Sequence, residues 1–94
     1  MFELPAKYGE LNPNDKKKVR EQYSELQNGL CYFCGKPLTE QPHQTILEAK
    51  INPKLYPPNF FKFPVHLHHS HETGLTIGTV HNRCNAYLWE FHNE

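Results

Sequence analysis

The chain has 94 residues, enough for one small domain, and its 10 Lys+Arg balance its 10 Asp+Glu. That balance excludes any case for a nucleic-acid partner from bulk charge, so such a case must rest on local charge. No apolar run approaches the roughly 20 residues that a membrane-spanning helix needs, and mean hydropathy is −0.76.

The three cysteines, Cys31, Cys34 and Cys84, are an odd set, which argues against a closed disulfide framework. The opening residues do not read as a secretory signal. A soluble, cytoplasmic protein is expected, in a reducing compartment where thiolates are free to take metal.

Residues 1–12 carry little signal beyond turn-prone Pro5 and Gly9. Residues 12–29, NPNDKKKVREQYSELQNG, predict a helix: Asn and Asp offer N-caps, Pro13 suits a first turn and Gly29 a stop. Val19, Tyr23 and Leu26 form one apolar stripe along it. Lys16, Lys17, Lys18 and Arg20 form a basic cluster near its start. A solvated face is the plain reading of that cluster, and phosphate contact the sharper one.

CYFCGKPL (31–38) predicts a knuckle, with Gly35 free to take a positive φ. The proline-rich stretch 39–64 holds TILEAKI, whose periodicity allows a strand or a short helix. Its NFFKF segment suits core or edge packing, with base stacking as the alternative. VHLHH (65–69) and LTIGTV (75–80) predict a hairpin joined by SHETG, and a helix follows from Asn82, with Ala86, Leu88, Trp89 and Phe91 on its pattern.

Cys31-x-x-Cys34 and His81-x-x-Cys84 supply four ligands in two pairs, an ordinary structural zinc set. His43 competes with His81 for the fourth place, but the HxxC spacing favours His81. His66, His68, His69 and His71 are then left without a structural role. Strand alternation puts His66 and His68 on one face and His69 on the other.

HHSHETGLTIGTVHNRCN, with the upstream CxxC, resembles the HNH (ββα-metal) endonuclease superfamily, particularly the phage recombination endonuclease VII type. Cys31, Cys34, Gly74, Gly78, Cys84 and Asn85 carry the likeness, which spans about Gly29 to the C-terminus. The sequence departs from the family at His68 (usually aspartate), His81 (usually cysteine) and Ile77 (often arginine).

The resemblance implies an α+β fold: a small zinc-stapled ββα-metal (His-Me finger, treble-clef-like) domain with an additional N-terminal helix. Residues 1–28 would be a helical extension and 29–94 the core of a single domain. It implies a divalent-metal-dependent hydrolase from a phage or prophage gene that nicks DNA, leaving 5′-phosphate and 3′-hydroxyl ends. His69 would be the general base, His68 and Asn85 would hold Mg²⁺, Mn²⁺ or a transition metal such as Ni²⁺, and His71 would steady the phosphate. The partner would be double-stranded DNA, gripped by Lys16, Lys17, Lys18, Arg20 and Arg83, and the protein would act as a monomer, with a dimer that cuts both strands as the alternative if the first helix pairs. Two other readings stand beside it. One is a non-catalytic treble-clef zinc module that binds nucleic acid or protein; the other is a metal-storage or metal-sensing protein.

Overall fold

A computed structural model describes residues 1–92. Asn12 begins the first helix as expected: its side chain accepts a bond from the Asp15 amide at 2.8 Å, and Pro13 takes the first helical position. Helix α1 (Pro13–Leu26) ends in a two-bond left-handed cap. Asn28 and Gly29 both have positive φ, and their amides reach back to the carbonyls of Glu25 (3.1 Å) and Ser24 (2.7 Å). Val19 and Tyr23 are buried on this helix. Leu26, the third member of the predicted stripe, is 68% exposed, because the cap turns the chain away within two residues of it.

TILEAKI resolves as a short helix, α2 (Gln44–Glu48). His43 caps it, its Nδ1 accepting a bond from the Thr45 amide at 3.1 Å. Strands β1 (Val65–His69) and β2 (Thr76–His81) pair antiparallel, and helix α3 (Asn82–His92) leaves β2 with no intervening loop. The order strand, strand, helix, with a helix before it, is the expected α+β arrangement. No helix among the described residues is long and apolar enough to cross a membrane.

One departure from regular pairing lies beside the histidines. His68 pairs with Gly78 but His69 with Thr76, so Ile77 is an extra residue on β2. Gly78 sits where the strand passes under Gln27 and Tyr32; an added Cβ would come within 2.8 Å of the Gln27 side-chain oxygen and 3.0 Å of Tyr32.

Two apolar clusters sit on the hairpin. Leu67 meets Val19 and Tyr23 of α1, and Phe2, Leu4, Tyr8 and Leu11 close over them. Val80 meets Cys31, Leu38, Ile46 and Cys84 in the second cluster. The N-terminal residues therefore have a structural task that their composition did not announce. Thr76 donates its amide to the Ala6 carbonyl (2.8 Å), Tyr8 donates to Gly74 (2.9 Å), and Gln22 brackets the Phe2 backbone from both sides.

Gln27 joins α1 to β2. Its side chain accepts from the Thr79 amide (2.9 Å) and donates to the Thr79 (2.9 Å) and Leu30 (2.7 Å) carbonyls. Thr79 is fully buried, so losing this amide strands backbone groups away from water. Gln27→Ala is expected to lower unfolding free energy by about 1–3 kcal/mol in urea titrations.

Candidate metal centre and adjoining cleft

The two cysteine-bearing pairs converge. The knuckle turn brings Cys31 and Cys34 together through the Gly35-to-Cys31 backbone bond (3.1 Å), with Gly35 at φ 78°. His81 ends β2 and Cys84 lies in the first turn of α3, so the second pair spans the strand–helix junction. The ligand atoms of Cys31, Cys34, His81 and Cys84 all lie within 4.8 Å of one another.

The donor set fits zinc in spacing and in chemistry. Zn–S bonds of about 2.3 Å and Zn–N bonds of about 2.0–2.1 Å make the S···N edge of a tetrahedron about 3.6 Å. His81 Nδ1 lies 3.4 Å from Cys34 Sγ and 3.6 Å from Cys84 Sγ. The other ring nitrogen, Nε2, donates to the Pro37 carbonyl at 2.9 Å. That bond fixes the tautomer and leaves the Nδ1 lone pair facing the thiols, the usual outer support of a metal-binding histidine.

The thiols themselves favour a cation. A hydrogen bond from Cys84 holds the Cys31 thiol well below the ordinary cysteine value, against the opposing effect of burial, and nearby backbone amides assist. Cys84 is pushed upward by that same bond, by burial and by the negative charge of Cys31 and Cys34. Three thiolates crowded in a half-dry site repel one another, and a divalent ion removes the repulsion.

His43 is not part of the centre; it is occupied as the α2 cap. Among the described residues, the Cys₃His set is the group of three or more metal-ligating Cys, His, Asp or Glu side chains that converges.

The remaining histidines flank a separate feature. His66 Nε2 donates to the Phe60 carbonyl (2.8 Å), and its Nδ1 accepts from the Asn85 side-chain amide (3.1 Å). Asn85 Oδ1 in turn accepts from His68 Nδ1 (3.2 Å). His66 and His68 thus do share a face, and Asn85 ties them to α3. His69 points elsewhere: its ring lies flat on Tyr8, with centroids 3.7 Å apart, and Lys16 sits 4.3 Å over the Tyr8 ring. His71 is exposed, its ring centroid 5.0 Å from that of His69.

All of these residues except His68 border a cleft of about 740 Å³ between α1, the 55–63 loop, β1 and α3. Lys16 and Arg20, one helical turn apart, line it together with His66, His69 and His71, and among the described residues no carboxylate does. Its aromatic wall is Tyr8, Tyr56, Phe60, Phe63 and Trp89. Burial pushes His66 and His69 below the ordinary histidine value, and nearby positive groups (Arg20 for His66; His71, His68 and Lys16 for His69) push the same way. Tyr56, whose hydroxyl donates to the Ala86 carbonyl and to Glu90, is raised to about 12 by burial and by that carboxylate.

The expected basic grip is therefore divided. Lys17 and Lys18 are exposed and do not line the cleft. Arg83 lines a different groove with Lys36 and donates to the Leu47 carbonyl at 3.4 Å. The cleft residues that sequence reasoning passed over are Tyr8, Tyr56 and Trp89. Only Trp89 left a trace, as the residue one helical turn beyond Asn85.

No protein-family model, curated protein or solved structure matches the chain. With the geometry, this corrects the resemblance to the HNH endonucleases and the assignments built on it: hydrolase, nicking endonuclease and phage origin. The convergent metal-ligand set is a Cys₃His structural one, and no match independently supports the family. His68 and Asn85 form one hydrogen-bonded link in a strand-to-helix prop.

The purified protein is expected to carry one zinc per chain by elemental analysis, and Cys84→Ser to lose it along with a cooperative thermal transition. A second expectation follows from His66. Its proton-free Nδ1 accepts from Asn85, so protonation would set donor against donor. The folded value lies below the ordinary 6.5, so the unfolded chain takes the proton first. This contribution to stability is complete above about pH 6.5 and is lost as pH falls through the folded value. Urea titrations at stepped pH should therefore show a shallower acid loss for His66→Phe than for the wild type.

Proposed function

We propose that this protein is a non-catalytic, zinc-stapled module that binds nucleic acid in the cleft beside its metal centre, acting as a single chain in the cytoplasm. The observation that carries the first half is the closed four-ligand set, which fills a tetrahedral ion and leaves no coordination position for a reacting water. Cys31, Cys34, His81 and Cys84 would hold Zn²⁺, whose role is to fix the knuckle against the strand–helix junction.

The cleft supports the second half. Its charged and titratable lining is basic or aromatic, in a chain whose total charge is zero, so a positive field is concentrated at one place. Lys16 and Arg20 supply phosphate contacts that carry no sequence information. The aromatic wall supplies apolar surface for bases.

Fluorescence anisotropy with a labelled oligonucleotide tests the reading. Binding should weaken steeply as salt rises, and Lys16→Ala or Arg20→Ala should each flatten the salt slope by about one unit. Stripping the metal with a chelator should abolish binding together with the fold. Supercoiled plasmid incubated with the protein and Mg²⁺ or Mn²⁺ should stay supercoiled; ion-dependent relaxed circles would overturn the non-catalytic reading.

A further inference from the structure

We infer that the cleft takes single-stranded rather than duplex nucleic acid, with a base stacked on Trp89; this rests on the nucleic-acid reading above and adds the class of strand. The aromatic wall provides the first argument. Tyr56 meets Trp89 edge-on (centroids 5.6 Å, planes at 66°), Phe60 meets His66 edge-on (4.6 Å, 85°), and Tyr56 and Phe60 are tilted by 31°. None of these pairs is a parallel stack. Trp89 and Phe63 are also among the more exposed large apolar residues, at 41% and 58%. Exposed ring faces suit bases that have left their own stack, and every base offers such a face.

Charge complementarity supplies the occupant. Lys16 and Arg20 line the same cleft as the aromatic cluster, with Lys16 4.3 Å over the Tyr8 ring, and Lys62 sits 5.9 Å over the ring of cleft-lining Phe63. Cations set beside aromatic rings suit a ligand that carries both phosphates and unstacked bases, as an open strand does. A duplex would present phosphates to the same cations but would keep its base faces inside.

β2 is buried along nearly all its length, so this strand is not free to enter a groove. A cleft of about 740 Å³ is of small-ligand size, suited to a few splayed nucleotides rather than to the side of a double helix.

Trp89 is the chain's single tryptophan, so its emission reports the cleft directly. The zinc-loaded full chain is titrated at low salt with short oligo-dT, oligo-U and a duplex of equal length. Both single strands should quench Trp89 and bind more tightly than the duplex. Anisotropy of labelled oligo-dT should then show Trp89→Ala weakening binding by about 5- to 150-fold. Trp89→Phe should restore most of the affinity, and Phe63→Ala, at an exposed site, should weaken it without loss of zinc. Duplex binding as tight as single-strand binding, with Trp89 unquenched, would overturn this inference and leave the nucleic-acid reading standing. Unchanged oligo-dT affinity in folded Trp89→Ala would overturn it too. Absence of binding to any of the three probes would overturn both.

Discussion

The convergence of Cys31, Cys34, His81 and Cys84 is the constraint on which the rest of the chain depends. Two of the four belong to a five-residue buried cluster that also holds Leu38, Ile46 and Val80, so the ligand set is built into one of the chain's two apolar clusters. A core this small is marginal for a 94-residue chain, whereas structural zinc contributes about 10–16 kcal/mol in small domains. The ligand spacing also fixes direction. His81 closes a strand and Cys84 opens a helix with no loop between, so one ion would set the angle at which α3 leaves the sheet. Asn85 and Trp89, one and five residues past Cys84, inherit their positions from that angle.

The parts of this arrangement that were legible in the sequence are those encoded by local spacing. CxxC and HxxC place ligands on tight turns whatever surrounds them, and the Asn12–Pro13 start and Gly29 stop of α1 work through backbone rules alone. What stayed hidden depends on residues far apart in the chain. Tyr8 belongs to the site only because the 6–8 segment pairs with the 74–76 turn, and Tyr56 only because its hydroxyl reaches Ala86 and Glu90. His43 looked like a ligand by proximity to the first cysteine pair but is committed to a helix cap. Leu26 fits the apolar stripe but lies where the helix has already begun to turn.

The endonuclease resemblance marks another boundary of the same kind. Residue order at the hairpin and helix start was read from the sequence, and the hairpin and helix are present; a reaction does not follow from order alone. Imidazole and carboxamide groups that face one another can position an ion, or they can join a strand to a helix. In this chain the His66–Asn85–His68 series connects donor to acceptor at each step, from the Phe60 carbonyl to the buried strand. Such a series rigidifies the floor of the cleft, and burial keeps His66 in the neutral form that the series requires.

Charge distribution connects the metal centre to the cleft. A net charge of zero would suggest indifference to polyanions, yet the only ion pair among the described residues is the exposed Lys7–Glu10 pair. Among the described residues, no carboxylate forms an ion pair with Lys16 or Arg20 and none lines the cleft. Glu90, on the same helix as Trp89, is turned to the Tyr56 hydroxyl and the Asn52 amide. It anchors the proline-rich loop to α3. One wall of the cleft is thus held by α1 and the other by a loop tied to the zinc-fixed helix. A zinc ion bound by Cys31, Cys34, His81 and Cys84 would thereby help to fix the distance between the cations and the aromatic rings.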